Sequence, residues 1–311
     1  MSPRTHYAIA RLFNDAGFPP GVLNFILHRP EDAVEVFDFL IEDSRIRKCN
    51  FTGSTAVGRS IAQKAGAVLK PVLLELGGKN CAIVLEDADV ETAARGILLG
   101  AFLNVRMILN LCRGMLTFLR DKNGQICMST DTVILVGEIA NKMRQALHQL
   151  IHQVYVHESP VISSRSHQKI QSLLQDAARK GAGLVAPEGI ISHDAFMPTL
   201  ISDITPDMQC FVEESFGPVL GITVVKDEEE AVRLLNTSGY GLSAAVWSKS
   251  HWRALNVARK LRVGAVHINA PTVHDEQTLP HGGTGLSGYG RFGATWGMRE
   301  WVQTKTIIMH K

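Results

Sequence analysis

The alternation of strand-like and helix-like segments constrains most strongly what this 311-residue chain can fold into. Apolar residues at helical spacing predict helices over residues 5–16, 31–42, 55–69, 90–102, 137–152, 166–179, 228–236 and 250–261. Short apolar runs predict strands over residues 22–27, 48–52, 71–76, 81–85, 132–136, 219–225, 243–247, 264–269 and 302–309. Strands separated by helices are typical of a parallel sheet with helices on its faces. The chain is therefore predicted to be an α/β protein.

The composition argues against several classes of protein. Hydrophobic residues make up 45% of the chain and charged residues 20%, which is ordinary for a globular protein. The net charge is +2 and the basic residues form no stripe, so we expect no nucleic-acid partner and no membrane partner. The 5 cysteines stand far apart, which fits neither a disulfide framework nor a zinc site. We expect no metal site and a reducing, cytoplasmic location.

The first motif with chemical potential is Gly53-Ser54-Thr55-Ala56-Val57-Gly58, at a predicted strand-to-helix turn. The amino end of a helix presents unpaired N–H groups and the positive end of the helix dipole, which suits a phosphate. The motif differs from the GxGxxG dinucleotide fingerprint. An ordinary capped helix start is therefore the alternative interpretation.

Three further motifs carry acids or a thiol. In Leu74-Glu75-Leu76-Gly77-Gly78, a carboxylate stands between two leucines, a setting that suits a general base; a surface Glu before a turn is the alternative. Cys127 follows Gly124-Gln125, where a tight turn would bring backbone amides that lower a thiol pKa and stabilise an oxyanion. A small core residue is the alternative for Cys127. The segment EESFGPV at residues 213–219 is by itself a loop that enters a strand.

Taken in order, these motifs resemble the aldehyde dehydrogenase superfamily. The similar segments are FTGSTAVG at 51–58, LELGGKN at 74–80, GQIC at 124–127, EESFGPV at 213–219 and SGYGR at 287–291. The segments GAVHIN at 264–269, TVHDE at 272–276 and LPHGG at 279–283 most resemble the branch that acts on benzaldehyde-, vanillin- or salicylaldehyde-type substrates. The resemblance implies an NAD- or NADP-dependent oxidoreductase whose substrate is an aromatic aldehyde.

The resemblance also implies roles for individual residues. Cys127 is the nucleophile that forms a thiohemiacetal and then a thioester, and Glu75 activates the water that hydrolyses it. Glu214 forms hydrogen bonds with the hydroxyl groups of the nicotinamide ribose, and Phe216 helps to position the nicotinamide ring. The remaining cofactor-binding positions implied are Gly53, Ser54, Gly58 and Leu76.

Two departures from the family pattern bear on activity. The resemblance implies that a Pro-Trp-Asn segment with the oxyanion amide, and a Lys-Pro-Ser-Glu segment that contacts the adenosine ribose, precede this chain's first residue. Loss of one hydrogen-bond donor to the oxyanion lowers the reaction rate by about 10²–10³. Residues 105–122 also interrupt the family pattern just before Cys127. A retained intron would explain their abrupt edges, and a genuine loop is the alternative. We therefore expect little dehydrogenase turnover from the chain as it stands.

The predicted architecture has three parts. Residues 1–76 form an incomplete Rossmann-type NAD(P)-binding domain, residues 77–292 an α/β catalytic domain, and residues 293–311 a C-terminal segment that joins copies into a homo-oligomer. Two other functions stay open at this point: an inert chain without a competent cofactor site, and a cysteine esterase that uses Cys127 and Glu75 without a cofactor.

Overall fold

The structure, a computed structural model, describes residues 3–102, 124–152, 161–186 and 196–311. Residues 105–122, which interrupt the family pattern and contain Cys112, lie outside the described residues. The chain divides into two compact units, one formed by residues 1–49 and 60–72 and the other by residues 50–59 and 73–311. The predicted boundaries after residues 76 and 292 concern function and stay predictions.

Eight of the described α-helices follow the predicted ones closely. The described α-helices are α1 Pro3–Asp15, α2 Ala33–Glu42, α3 Thr55–Ala67, α4 Val90–Phe102, α5 Ile139–Ile151, α6 Ser164–Arg179, α7 Gln209–Val212, α8 Glu228–Thr237, α9 His251–Ala258 and α10 Ala294–Arg299. The two short ones, α7 and α10, were not predicted. A short 3-10 helix, Pro30–Asp32, precedes α2. No described helix combines the length and the apolarity that spanning a bilayer requires.

The strands are mostly short. They are β1 Cys49–Thr52, β2 Val72–Glu75, β3 Asn80–Val84, β4 Thr130–Val136, β5 Gly183–Val185, β6 Thr199–Ser202, β7 Val219–Val225, β8 Tyr240–Gly241, β9 Ser243–Trp247, β10 Ala265–Ile268, β11 Thr284–Gly285 and β12 Gly288–Tyr289. The last two strands lie inside the segment 281–293, which was predicted to be a loop.

The smaller unit contains α1, α2 and most of α3. Gly17 ends α1 with a φ of +81°, as its position after the helix predicts. The predicted buried strand over residues 22–27 is wrong, because that segment is irregular and Val22, Leu23, Ile26 and Leu27 are exposed. A buried strand needs a hydrogen-bonding edge and a face to pack on, and the described residues supply neither there.

The larger unit is built on a seven-stranded sheet in the order β10-β9-β3-β4-β7-β6-β5. All its pairs are parallel except β5 with β6. Successive side chains along β3 point to opposite faces of the sheet. Ala82 and Val84 pack with α4 and α5 on one face. Ile83 and Leu85, which follows the last residue of the strand, pack with α8 and α9 on the other. Helices on both faces of a largely parallel sheet confirm the predicted α/β fold.

A second, three-stranded sheet has the order β1-β2-β12 and positions Glu75. Here β12 is antiparallel to β2, with Gly288 opposite Glu75 and Tyr289 opposite Leu74. A Cβ on Gly288 would lie 2.0 Å from the carbonyl oxygen of Leu74, so this close approach requires glycine. The glycine-rich segment is therefore held against the strand that carries Glu75.

The predicted strand over residues 302–309 is wrong for a single copy of the chain, because these residues are irregular and pair with no strand of the described chain. Their large apolar side chains, Val302, Ile307, Ile308 and Met309, are exposed. Addition of this segment to the sheet of another copy stays a prediction.

Candidate active site

Glu75 is the last residue of β2 and is buried among apolar neighbours. Its carbonyl oxygen accepts the Gly53 N–H at 3.0 Å, which ties the end of β2 to the turn before α3. Its Oε2 lies 3.1 Å from Nε2 of His281. Its Oε1 is buried and has no hydrogen-bond partner among the described residues. One carboxylate oxygen is thus held by His281, and the other is a buried acceptor without a partner among the described residues.

Cys127 lies in a turn between Gly124 and β4, as the sequence predicts. Gly124 has a φ of +72°, and a Cβ there would lie 2.5 Å from the carbonyl oxygen of Gly217. Asn80 Nδ2 donates to the carbonyl oxygen of Cys127 at 2.8 Å, and Thr272 Oγ1 donates to that of Met128 at 2.7 Å. The backbone at Cys127 and at the residue after it is therefore held by side chains from other parts of the chain.

The electrostatics of the Cys127 thiol differ from expectation. Burial raises its pKa, and the negative charges of Glu75 and Glu214 raise it further. Hydrogen bonds from the backbone of Cys127 and Met128 act in the lowering direction, as predicted, but they are outweighed. The predicted net lowering of the pKa is therefore wrong for this structure, because a buried thiolate beside two carboxylates is unfavourable.

Glu214 is seated by the two glycines that follow Glu75 and Leu76. The Gly78 N–H donates to its Oε1 at 2.9 Å. A Cβ on Gly77 would lie 2.3 Å from its Oε2, so the carboxylate occupies space that only glycine leaves open. Burial also raises the pKa of Glu214. The motif around Glu75 therefore contains one acid, Glu75, and positions a second acid, Glu214, from the segment 213–219.

The predicted phosphate turn opens α3, which begins at Thr55. Gly53 and Ser54 are exposed, and Ser54 Oγ accepts the Val57 N–H at 3.4 Å. Gly58 is buried, and a Cβ there would lie 2.5 Å from Cδ2 of Leu76. Two predicted cofactor residues, Gly58 and Leu76, are thus in contact with each other, while Gly53 and Ser54 face solvent.

The family model of the aldehyde dehydrogenase family matches residues 1–106 and 110–307 of the chain. The chain belongs to the aldehyde dehydrogenase family. This confirms the resemblance drawn from the motifs.

Several relatives of this chain have aromatic aldehydes in their names. It is 38% identical to a salicylaldehyde dehydrogenase from Pseudomonas putida, over 99% of this chain and 62% of the relative. It is 35% identical to a benzaldehyde dehydrogenase [NAD(+)] from the same organism, over 97% of this chain and 59% of the relative. The chain thus spans about three fifths of their length.

The structural comparison agrees. A crystal structure of a salicylaldehyde dehydrogenase from Pseudomonas putida G7, complexed with salicylaldehyde, superimposes with a TM-score of 0.86 at 38% identity. The match covers 96% of this chain and 60% of that chain.

A buried ion pair supports the segment that carries Glu214 and Phe216. Lys79 Nζ lies 2.7 Å from Asp131 Oδ1, and both side chains are buried. Asp131 Oδ2 accepts the Ser215 N–H at 2.8 Å, next to Phe216, whose φ is +47°. Sequence reasoning assigned no role to Lys79 or Asp131, because their pairing joins positions far apart in the chain.

Sequence reasoning also missed the imidazole beside Glu75. His281 is half-buried, and its pKa is raised, first through its hydrogen bond with Glu75. Its neighbours Gly282 and Gly283 contribute to the family pattern, but no local pattern relates a histidine to a carboxylate so distant in sequence. The antiparallel pairing of β12 with β2 brings the glycine-rich segment to Glu75.

Proposed function

We propose that this chain carries the cysteine chemistry of an NAD- or NADP-dependent enzyme that oxidises an aromatic aldehyde to its carboxylic acid. The observation that carries the proposal is the grouping of one thiol, Cys127, with two buried or half-buried carboxylates, Glu75 and Glu214. The aldehydes in the names of the relatives support the substrate class.

In this proposal Cys127 Sγ forms a bond to the aldehyde carbon and gives a thiohemiacetal. A bound nicotinamide supplies the hydride acceptor for oxidation of that carbon. In the hydrolysis of the resulting thioester, Glu75 accepts a proton from water while the water oxygen adds to the acyl carbon. The carbon–sulfur bond then breaks, which returns the Cys127 thiolate and releases the acid. The free Oε1 of Glu75 suits it to this task.

The residues present fit the nicotinamide half and the diphosphate of such a cofactor. The carboxylate of Glu214, oriented by the Gly78 N–H, is an acceptor for ribose hydroxyl groups. The exposed turn of Gly53 and Ser54 stands at the amino end of the 13-residue helix α3, where backbone N–H groups and the helix dipole favour a phosphate. Leu76, Gly58 and Phe216 are proposed to line the same side of the site.

The test is a single-turnover reaction, in which one round of hydride transfer is followed. The protein, in excess over a benzaldehyde-type aldehyde, is mixed with NAD or NADP, and absorbance of the reduced nicotinamide is followed. We expect reduction that Cys127→Ser abolishes and that Cys49→Ser, a change at another partly buried cysteine, leaves intact.

A companion assay uses a 4-nitrophenyl ester, which acylates the thiol without cofactor. We expect acylation of Cys127 to release a burst of nitrophenolate from the ester. The slow hydrolysis of the acyl-enzyme should follow, and Glu75→Gln should lower its rate by about 10²–10⁴. A burst without any nicotinamide reduction would contradict the dehydrogenase and favour the cysteine esterase. Absence of both would favour the inert chain.

We also propose a cytoplasmic location and a homo-oligomer. The chemistry requires a reduced thiol, and reducing compartments keep cysteines free. The exposed apolar residues at 302–309 support a contact between copies of the chain through this segment.

A further inference from the structure

His281 lies between two carboxylates of very different exposure. Its Nε2 is 3.1 Å from Oε2 of Glu75, and its Nδ1 is 3.5 Å from Oδ1 of Asp275. The exposed side-chain fractions are 7% for Glu75, 22% for His281 and 54% for Asp275. The three groups therefore form a row that leads from the buried carboxylate to solvent.

The backbone that carries the His281 imidazole is fixed by hydrogen bonds. His281 and Phe292 exchange two backbone hydrogen bonds, at 3.0 and 2.7 Å. A Cβ on the next residue, Gly282, would lie 2.5 Å from the carbonyl oxygen of Gly290 and 3.0 Å from Oε1 of Glu75. The segment thus packs closely against Glu75, and the ring keeps its place at Oε2.

The charged groups that face His281 are Glu75, Asp275 and Arg291. The two carboxylates raise its pKa, while burial and the Arg291 guanidinium act in the opposite direction. Arg291 is itself engaged by the carbonyl oxygens of Gly283 and Gly290, at 2.9 and 2.7 Å. The balance leaves the pKa of His281 above its ordinary value of 6.5.

We propose that His281 is a positioning residue for Glu75 and that its charge sets how readily Glu75 accepts a proton. This inference rests on the proposed thioester hydrolysis. The Nε2–H of His281 donates to Oε2, so Glu75 accepts the water proton at Oε1. Neutral His281 holds the carboxylate in this way and leaves it basic, whereas the imidazolium places a positive charge beside the carboxylate and lowers its basicity. The proton on Glu75 passes to solvent before the next cycle, and no electrons are exchanged with any other group.

This role predicts a pH dependence that a purely structural ion pair does not. The imidazolium makes Glu75 a weaker base, so thioester hydrolysis should rise with pH through the pKa of His281. Removal of the Asp275 charge should lower that pKa, because the negative charge favours the imidazolium. The midpoint of the profile should then move to lower pH.

The experiment is the 4-nitrophenyl ester reaction of the whole chain, in which the burst reports acylation of Cys127 and the steady phase reports hydrolysis. In His281→Gln, the amide still donates to Oε2 but does not titrate. We expect an unchanged burst, loss of the inflection above pH 6.5, and hydrolysis about tenfold faster than in the wild type at pH values below that inflection. Asp275→Asn should keep the inflection at a lower pH. The matched control is His274→Gln, which changes an exposed imidazole paired with Glu276.

The outcomes separate this inference from the function on which it rests. A wild-type protein without a burst, or a burst that survives Cys127→Ser, overturns the proposed function. A normal burst with the same pH profile in wild type and His281→Gln overturns the role of His281 and leaves the proposed function intact. A normal circular dichroism spectrum of His281→Gln, together with its unchanged burst, excludes misfolding as the cause of the changed pH profile.

Discussion

At the scale of single residues, the cysteines differ in how readily they can react. Burial raises the pKa of Cys81 to about 12 and also raises the pKa of Cys210. Cys127 is only partly buried and receives hydrogen bonds from backbone amides. We expect iodoacetamide at neutral pH to label Cys127 faster than either of the two buried cysteines. Peptide mapping over time measures this, and preferential labelling of Cys81 would contradict the assignment of the nucleophile.

The two carboxylates beside Cys127 allow a sharper prediction. Because the negative charge of Glu75 raises the pKa of the thiol, Glu75→Gln should lower that pKa and speed alkylation at any pH below it. The pH at which alkylation is half-maximal should fall. Glu91→Gln changes a carboxylate that is 75% exposed on α4 and serves as the control. An alkylation profile that is the same in Glu75→Gln and wild type would contradict the placement of Glu75 near the sulfur.

At the scale of elements, α3 contains two glycines in opposite surroundings. A Cβ on Gly58 would lie 2.5 Å from Cδ2 of Leu76, whereas a Cβ on Gly66 would meet nothing within 4 Å. We expect Gly58→Ala to lower the free energy of unfolding by about 1–3 kcal/mol through overpacking. Gly66→Ala should raise it by about 0.5–1 kcal/mol, because alanine favours the helix.

Urea denaturation of both variants measures these changes. Leu76→Ala combined with Gly58→Ala should recover part of the lost stability, since the clash is with that side chain. Equal effects of the two glycine substitutions would show that Leu76 does not pack on Gly58.

The ion pair of Lys79 and Asp131 joins β4 to the residue before β3. Both side chains are buried, so Lys79→Met leaves the Asp131 carboxylate without its counter-ion in a site of low polarity. We expect a loss of about 3–5 kcal/mol in the free energy of unfolding. Arg95→Gln, which breaks an exposed pair with Glu91 on α4, should cost about 0.2–1 kcal/mol. Similar losses in thermal or urea unfolding of the two variants would contradict a buried, uncompensated charge.

At the scale of the whole molecule, the C-terminal segment is predicted to join copies of the chain. A strand at an edge presents unpaired backbone groups that a second sheet can satisfy. Light scattering should therefore give a multiple of 34.1 kDa. The double variant Gln303→Pro with Thr304→Pro removes one N–H on each side of the segment and should shift the protein toward monomer, whereas the matched double alanine variant should not. A clean monomer for the unmodified chain would rule the prediction out.

The elements that sequence alone located are those with a strong local pattern. Four elements lie at or within one residue of their predicted positions: helices α4 and α8 and strands β7 and β9. The spacing of their apolar residues matches the face that each of them buries. The short strands β5, β6, β8, β11 and β12 were not predicted. Two to four residues hold too little pattern to reveal a strand, and only pairing with a distant partner defines one. The run at 22–27 shows the opposite failure, since its apolar residues are exposed.

The sequence by itself determined the α/β fold, the family, and the motifs that contain Glu75, Cys127 and Glu214, because each depends on residues that are neighbours in the chain. Only the tertiary structure decided how those motifs meet. Burial of the thiol beside two carboxylates reversed the expected direction of the Cys127 pKa. Pairing of β12 with β2 set His281 against Glu75. Desolvation and charge act through space between residues that are distant in sequence. The direction of the pKa shift and the contact with His281 therefore could not be predicted from the sequence.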